Sequence, residues 1–241
     1  MHGIIDFHSH ILPGIDDGSA SLEESLELLR LSSRQGVEHM VATPHFYPRH
    51  DSPERFFRRR EEAEQLLREA MELSGELPEI TVGAEVYFFS GISDSELIKT
   101  LTIGQKRCIL IEMPDSPWGE SHYRELEGIY IKHGITPIVA HVDRYIRPFR
   151  THGIPERLEK LPVMVQANAS FFLHRSTRRM ALRMLKKGQI HLLGSDCHNL
   201  TSRRPNLEAA VDVISQNLGP GVLHRIRRDQ ESLLGMRSVS L

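Results

Sequence analysis

The stretch Gly3-Ile4-Ile5-Asp6-Phe7-His8-Ser9-His10 joins a short apolar run to a pair of histidines. Its first part, Gly3–Phe7, is rich in apolar and β-branched residues and predicts a β-strand. Alternate residues of an extended chain share one face, so His8 and His10 can reach the same metal ion. This stretch decides the fold because the same pattern, a short strand ending in polar ligand-type residues, recurs along the chain.

Six further runs predict strands, and helical patterns separate them. The strands are Val37–Ala42, Ile80–Ala84, Cys108–Ile111, Thr136–Ala140, Val163–Gln166 and Ile190–Leu193. The helices are one opened by a capping box at Ser21–Glu24, a charged one from Ser52 to Ser74, and others near Ser121–His133, Thr177–Lys187, Asn206–Asn217 and Val222–Leu233. The alternation predicts an α/β fold with a parallel sheet, and about seven β–α units fit a closed barrel better than a doubly wound sheet. The sequence alone does not force closure. No linker is visible, so residues 1–241 are expected to form one domain.

Composition excludes several classes of protein. Thirty basic and 32 acidic side chains among 241 residues give a net charge of −2, which offers no reason to expect nucleic acid or an anionic membrane as partner. No signal peptide is recognisable, and the apolar runs fall far short of the ~20 residues that span a bilayer. Two cysteines, Cys108 and Cys197, cannot form a disulfide framework, so a cytoplasmic location is expected.

The predicted strand ends carry metal-ligand chemistry. In parallel α/β folds, functional groups gather at the carboxyl ends of the strands. Six of the seven predicted strands end there in ligand-type residues, namely His8 with His10, His45, Glu85, Glu112, His141, and Asp196 with His198. One such residue is commonly a cap or a loop hydrogen-bonder, but the repetition favours a metal site. Nitrogen and oxygen donors suit manganese, iron or zinc, and their number implies two or three ions.

Charge counting indicates the substrate. If Asp17, Glu85, Glu112 and Asp196 all ligate, they supply four negative charges against six positive ones from three divalent ions. The remaining positive charge matches a phosphate dianion. Two arginines, Arg144 and Arg203, follow His141 and His198 closely, and a guanidinium group matches phosphate oxygens bidentately.

The same residues resemble a known family. The segment Asp6-Phe7-His8-Ser9-His10-Ile11-Leu12-Pro13-Gly14-Ile15-Asp16-Asp17-Gly18 closely resembles the opening signature of the bacterial protein-tyrosine phosphatases of capsular and exopolysaccharide synthesis. These form a branch of the polymerase-and-histidinol-phosphatase (PHP) superfamily. The likeness continues through Ala42–His45, Gly83–Tyr87, Leu110–Glu112, His141–Tyr145, Gln166–Ser170 and Ser195–Asn199.

The resemblance implies a distorted seven-stranded TIM-like (β/α) barrel, the PHP fold, with three metal ions, usually manganese. By this likeness one ion is bound by His8, His10, Glu85 and Asp196, a second by Glu85, Glu112 and His141, and a third by Asp17, His45 and His198. Arg144 and Arg203 would bind the phosphate. The implied substrate is phosphotyrosine on the tail of a partner tyrosine autokinase, hydrolysed by direct in-line attack. The chain departs from the family pattern at Phe46 and at Val142-Asp143, which could alter the pocket wall.

Other functions remain open at this point. Cys197 and Arg203 have the Cys-x5-Arg spacing of thiolate-dependent tyrosine phosphatases, but no glycine lies between them, and period two would turn Cys197 away from the metals. A PHP phosphatase of a small metabolite such as histidinol phosphate would need the same metal site. A non-catalytic metal-binding module is a further alternative. A hydrolase of amides would leave the two arginines unexplained.

Overall fold

The computed structural model describes residues 3–104, 107–146 and 153–236. The strands are β1 Ile4–Ser9, β2 Val37–Ala42, β3 His45–Phe46, β4 Glu79–Val82, β5 Glu85–Tyr87, β6 Cys108–Glu112, β7 Thr136–Val139, β8 Met164–Asn168 and β9 Leu192–Gly194. The helices are α1 Leu22–Arg34, α2 Pro53–Glu72, α3 Glu120–His133, α4 Ile154–Leu158, α5 Ala169–Leu173, α6 Arg175–Lys187, α7 Leu207–Leu218 and α8 Pro220–Leu234. Shorter 3-10 helices cover Ile92–Asp94, Glu96–Thr100 and Val142–Arg144.

Every pairing between these strands is parallel, which confirms the predicted α/β class. The strands form a three-stranded sheet in the order β1-β2-β4 and a six-stranded sheet in the order β3-β5-β6-β7-β8-β9. The predicted second strand continues after Thr43-Pro44 as β3, and the predicted third strand breaks at Gly83-Ala84 before β5. Proline has no N–H to donate to a ladder, which accounts for the first break.

The two ends of the strand series meet. A parallel bridge joins Ser9 to Cys197. Next to it, Asp196 N donates to His8 O at 2.8 Å, and His10 N donates to Cys197 O at 2.9 Å. The first strand therefore lies against the loop that follows the last, and the sheet is curled rather than open. The described strands are hydrogen-bonded as two sheets, so the seven-stranded barrel that the family resemblance implies stays a prediction.

Side-chain alternation along the strands separates two hydrophobic clusters. On β6, Leu110 belongs to a small inner cluster, whereas Ile109 and Ile111 face the larger one beneath the helices. This is the period of two that an extended chain imposes. The inner cluster includes Ile5, Phe7, Val41, Leu110, Ile138 and Leu192 from five strands, with Leu233 and Leu234 from the end of α8. The curled sheet thus has an apolar interior, and its polar groups are left for the carboxyl edge.

The helices begin where the sequence signals them. Ser21 Oγ accepts a hydrogen bond from Glu24 N at 3.2 Å, although the Glu24 carboxylate accepts from Ala20 N and not from the cap residue as in a regular capping box. The helices α4 and α5 escaped the sequence analysis because each has only five residues, too few for a periodic pattern. Of the helices in the described ranges, none is long and apolar enough to cross a membrane.

The charged helix α2 carries several arginines whose charge is balanced by neighbouring groups. Its first arginines are paired locally: Arg55 and Arg59 lie 3.2 Å and 3.0 Å from the Asp51 carboxylate. Arg60 donates to Gly83 O at 3.1 Å. These contacts are typical of a solvent-exposed helix whose charges are balanced by neighbouring groups.

Candidate active site

All nine predicted ligand residues lie in one region at the carboxyl edge of the strands. The innermost group comes from β1 and β5: His8 Nε2 lies 3.1 Å from His10 Nε2 and 3.2 Å from Glu85 Oε2. Asp196 Oδ1 lies 3.6 Å and 3.5 Å from the same two nitrogens. Ligand atoms at ~2.1 Å from one ion are ~3.0–3.4 Å from each other, so these spacings suit a shared cation.

A second group lies around Glu85 and Glu112. His141 Nε2 lies 2.7 Å from Glu85 Oε1 and 3.9 Å from Glu112 Oε1. His45 Nδ1 lies 3.1 Å from Glu85 Oε2 and 3.8 Å from Glu112 Oε2. The Glu85 carboxylate therefore contacts residues of both groups.

A third group lies nearer to solvent. Asp17 Oδ1 lies 3.4 Å from His45 Nε2 and 3.5 Å from His198 Nε2, and the Asp17 side chain is 66% exposed. His10 also reaches this group, because its ring centroid is 3.9 Å from that of His198. His10 and His45 each have a nitrogen within reach of two groups, whereas the family resemblance allotted each of them to one ion.

Two buried nitrogen atoms test whether these residues suit a metal. His45 Nδ1 and His198 Nε2 make no hydrogen bond among the described residues, although carboxylate oxygens of Glu85 and Asp17 lie 3.1 Å and 3.5 Å from them. The other ring nitrogen of His198, Nδ1, lies 3.0 Å from Asp196 O. A donor at Nδ1 leaves the lone pair of Nε2 free toward Asp17. An unpaired buried polar atom costs ~1–3 kcal/mol, and ligation of a cation removes that cost. The residues fit a group of divalent cations.

The electrostatics of the cluster keep two of its carboxylates, Glu85 and Asp196, charged. Burial opposes the ionisation of Glu85, but the charges of His8 and His141 outweigh it and hold the pKa of Glu85 well below its usual range. Burial likewise opposes ionisation of Asp196, and His8 and His10 hold its pKa well below the usual value. Ionised carboxylates are the form that binds cations.

Burial favours the neutral form of two of the imidazoles, those of His198 and His45. Burial, reinforced by the charge of His10, lowers the pKa of His198 to about 4. Burial is also the main cause that lowers the pKa of His45. A neutral imidazole is the ligating form, so these two side chains need not lose a proton to bind a metal ion at neutral pH.

One orienting residue, Asp16, was missed by the sequence analysis. Asp16 Oδ2 lies 2.8 Å from His10 Nδ1 and accepts from His45 N at 2.9 Å. A carboxylate behind an imidazole fixes its tautomer and turns the opposite nitrogen toward the metal. The signal was the adjacent pair Asp16-Asp17, of which only Asp17 was selected as a ligand.

The one predicted strand without a ligand-type end supplies a second support. Gln166 Oε1 accepts from His141 N at 2.5 Å and lies 3.3 Å from His8 Nδ1. Gln166 Nε2 donates to Asn168 Oδ1 at 2.9 Å, and Asn168 Nδ2 donates to Asp196 Oδ2 at 2.9 Å. These two amide side chains on β8 connect three of the predicted ligands and hold their orientation.

The backbone is strained where two predicted ligands leave the strands. His141 and Asp196 have φ angles of 30° and 54°, in the left-handed region that residues with a Cβ rarely adopt. Such residues persist where the surroundings over-determine them, and they cluster at functional sites. Nearby, Gly194 lies so close to β1 that a Cβ atom there would be 2.6 Å from His8 Cβ.

The two predicted phosphate-binding arginines border the cluster. Arg144 donates to Glu112 Oε1 at 3.1 Å and to Asp196 Oδ2 at 2.7 Å. Arg203 donates to Asp196 Oδ1 at 2.8 Å. Both side chains are 36% exposed, so each retains surface that an incoming anion can reach.

The thiolate alternative conflicts with the surroundings of Cys197. Its side chain is fully buried, and burial raises the pKa of the thiol. The loop amides that would have to cradle a phosphate are already bonded: Asn199 Oδ1 accepts from the backbone N–H groups of Thr201, Ser202 and Arg203. Cys197 is therefore neither ionised at neutral pH nor placed in an anion-binding loop, and the hypothesis is wrong.

Fold and site together define a class: a parallel α/β protein with a candidate metal centre of several ions at the carboxyl edge of its strands. The chain belongs to the CpsB/CapC family of capsular polysaccharide synthesis, whose model matches residues 4–234. The tyrosine-protein phosphatase CpsB of Streptococcus agalactiae is 30% identical over 227 residues, covering 90% of this chain and 91% of the relative.

Two further likenesses agree with this membership. The tyrosine-protein phosphatase YwqE of Bacillus subtilis is 26% identical over 250 residues, covering 98% of this chain and 93% of the relative. A solved structure described under YwqE of Bacillus subtilis and CpsB of Streptococcus pneumoniae, unique metal-dependent tyrosine phosphatases, matches with a TM-score of 0.83. It is 24% identical and the match covers 98% of this chain and 96% of the other, so it establishes the shared fold.

Proposed function

We propose that this protein is a metal-dependent protein-tyrosine phosphatase. The observation that carries the proposal is the convergence of imidazole and carboxylate atoms on one centre, where His45 Nδ1 and His198 Nε2 are buried and make no hydrogen bond among the described residues. Relatives at 30% identity are named tyrosine-protein phosphatases, which supports the choice of substrate.

The proposed centre has three divalent ions, with manganese favoured and iron or zinc possible. The proposed ligands are His8, His10, Glu85 and Asp196 for one ion, Glu85, Glu112 and His141 for a second, and Asp17, His45 and His198 for the third. Divalent ions supply Lewis acidity to phosphoryl oxygens and lower the pKa of water. The protein contributes the geometry: Asp16, Gln166 and Asn168 hold the ligands in orientation.

The chain's own cations bind the substrate. Arg144 and Arg203 lie on two sides of Asp196, and their exposed parts can donate to the equatorial oxygens of a phosphoryl group. No nucleophilic side chain is required. Water attacks phosphorus in line with the bond to the phenol oxygen, that bond breaks, and no phospho-enzyme forms. The phenol of tyrosine, with a pKa of about 10, is a far better leaving group than an alcohol.

The wider assignments follow from family membership. We propose that the two sheets together represent the distorted seven-stranded barrel of the PHP fold and that residues 1–241 form one domain. The proposed substrate is the phosphotyrosine tail of a tyrosine autokinase of capsule or exopolysaccharide synthesis, and the proposed location is the cytoplasm. Support comes from the family's description as capsular polysaccharide synthesis.

The test combines metal analysis with a comparison of substrates. The purified chain should contain divalent metal and hydrolyse a phosphotyrosine peptide much faster than histidinol phosphate. Exhaustive EDTA treatment should abolish turnover, and added manganese should restore it. Asp196→Ala and His141→Ala should abolish turnover while circular dichroism shows an unchanged fold. Full activity after complete removal of metal would overturn the proposal.

A further inference from the structure

A pocket with aromatic walls opens beside the candidate centre. It has a volume of about 420 Å³, and its lining includes Tyr47, Tyr87, Phe88 and Phe89, with Arg49 and His50 at the rim. We call it the aromatic pocket. Ligand pockets of this size are commonly lined by aromatic groups with a few polar ones. Neither the metal ligands nor the two arginines of the centre belong to this lining.

The aromatic pocket adjoins the centre at Tyr47, which lines the pocket and contacts two predicted ligands. Its ring stacks on that of the predicted ligand His45, with centroids 5.0 Å apart and planes at 28°. Its hydroxyl lies 3.5 Å from Glu112 Oε2, a second predicted ligand. Tyr87, the last residue of β5, is paired in register with Glu112 on β6. Tyr47 and Tyr87 therefore place the pocket next to the predicted ligands His45 and Glu112.

Its walls are fixed in place by their own contacts. Tyr47 and Tyr87 have ring centroids 5.6 Å apart. Phe88 is 8% exposed, stacks on His122 at 4.9 Å, and donates its N–H to Glu112 O at 2.9 Å. Tyr47, Tyr87 and Phe89 are only partly buried, so they present ring surface to the cavity. A site whose walls are ordered beforehand loses little entropy on binding.

We propose that the aromatic pocket binds the phenol ring of phosphotyrosine while the phosphate group lies at the metal centre. This rests on the proposed function, which places the phosphate. The ring of phosphotyrosine is joined to phosphorus through a single oxygen, so it must occupy the space next to the centre. Aromatic rings attract one another by more than their buried area alone. Phosphoserine has no ring and gains nothing there. Tyr87 and Phe89 thereby select aryl over alkyl phosphates.

The test uses the metal-loaded protein and the variant Tyr87→Leu, which removes the ring but keeps an apolar side chain. The control is Tyr130→Leu, because Tyr130 is 46% exposed on α3 and does not line the pocket. Three quantities are compared: kcat/KM for a phosphotyrosine peptide, kcat/KM for the same peptide with phosphoserine, and inhibition by inorganic phosphate.

For Tyr87→Leu we expect kcat/KM for the phosphotyrosine peptide to fall about three- to tenfold, mainly through KM, as the loss of one aromatic contact predicts. Turnover of phosphoserine, inhibition by phosphate and the behaviour of Tyr130→Leu should be unchanged. Phe89→Leu should act in the same direction. An equal fall for both peptides would mean that Tyr87 supports the metal centre, and no fall would mean that the ring binds elsewhere; either result overturns the proposal.

A binding measurement separates this proposal from the proposed function. A peptide containing phosphonomethyl-phenylalanine retains the ring but cannot be hydrolysed. Its Kd, measured by calorimetry, should rise by a similar factor in Tyr87→Leu. Binding that depends on Tyr87 in a protein without turnover would contradict the phosphatase assignment and keep the pocket. Turnover of phosphotyrosine with no dependence of this Kd on Tyr87 would do the reverse.

Discussion

Arg144 and Arg203 donate to opposite oxygens of the same carboxylate: Arg144 Nη2 lies 2.7 Å from Asp196 Oδ2, and Arg203 Nη2 lies 2.8 Å from Asp196 Oδ1. The carboxylate is itself presented by a backbone with φ of 54°. The position of both guanidinium groups thus depends on one strained residue after β9. This arrangement ties the anion-binding groups to the same atoms that are predicted to ligate metal.

Removing one arginine should weaken substrate binding without removing metal. For Arg203→Ala we expect kcat/KM to fall about 10- to 100-fold, which corresponds to a lost charge-assisted hydrogen bond of ~1.5–3 kcal/mol. Inhibition by inorganic phosphate should weaken by a similar factor, and the metal content measured by emission spectroscopy should not change. Arg58→Ala is the control, because Arg58 is exposed on α2 and, within the described residues, forms an ion pair with Glu62 at 4.0 Å on the same helix. Loss of metal from Arg203→Ala would show that this arginine acts through Asp196 instead.

Replacing Asp16 by asparagine should reduce metal affinity. The Asp16 carboxylate lies 2.8 Å from His10 Nδ1 and keeps Nε2 turned toward the centre. Loss of such a partner commonly costs ~10–100-fold in affinity, and we expect that reduction in a manganese titration followed by calorimetry. Asp115→Asn, at an exposed position before α3, should leave the affinity unaltered. If Asp16→Asn bound manganese as tightly as the parent chain, the orienting role would be refuted.

The sequence predicted the ligand residues of the site better than the residues that hold those ligands in orientation. His8, Glu85 and His141 could be selected because period two and the carboxyl-edge rule fix where a residue at a strand end must lie. The choice between Asp16 and Asp17 could not be made in this way. Both follow a turn, and only the tertiary contact of Asp16 with His10 distinguishes them. Gln166 was missed for a related reason, since an amide has no preferred role until its neighbours are known.

The sequence predicted the class of the fold but not how its strands divide between two sheets. Strand–helix alternation gave the parallel α/β class, but not the breaks at Thr43-Pro44 and Gly83-Ala84 that split the sheet. The Gly83 break brings the chain close to Ile103, whose side chain would lie 2.2 Å from a Cβ atom at Gly83. Such an approach between residues twenty positions apart is a property of packing, which local pattern does not encode.

Removing the thiol of Cys197 should leave phosphatase activity intact. Cys197→Ala deletes the buried sulfur without burying a new hydroxyl, so we expect a small loss of stability and an unchanged kcat. Assays with and without EDTA provide the comparison: the parent chain and the variant should be equally sensitive to the chelator. A variant that folds normally, retains its metal and yet shows no turnover would restore the thiolate mechanism.

Stability should depend on pH through His191, which precedes β9, whereas the predicted ligand Asp196 follows that strand. Its Nδ1 accepts a hydrogen bond from Val165 N at 3.1 Å, and burial, assisted by the charge of Arg225, lowers the pKa of His191 below 6.5. The unfolded imidazole therefore binds a proton more readily than the folded one. The contribution to stability is complete above pH 6.5 and is lost as the pH falls through the lowered pKa.

The variant His191→Asn isolates this effect, because its Oδ1 can replace Nδ1 as the acceptor but does not titrate. We expect the difference in unfolding free energy between pH 7.5 and pH 5.5 to be smaller in His191→Asn than in the parent chain, measured by urea denaturation at constant metal concentration. An identical difference in both proteins would exclude His191 as a contributor.

Adding one methyl group at Gly194 should damage both stability and metal binding. A Cβ atom there would lie 2.6 Å from His8 Cβ and 2.9 Å from Gln166 Nε2, and both groups are buried. Overpacking of this kind costs ~1–3 kcal/mol, and the shift of His8 should also weaken manganese binding in a titration. Gly221→Ala is the matched control, because in the described part of the chain no atom beyond its neighbours and its own helix backbone lies within 4 Å of the added Cβ, and the residue belongs to α8. Alanine has the higher helix propensity, so thermal unfolding should move to lower temperature for Gly194→Ala and remain equal or rise for Gly221→Ala. If the two variants behaved alike, the close packing of β9 against β1 would not be what positions His8.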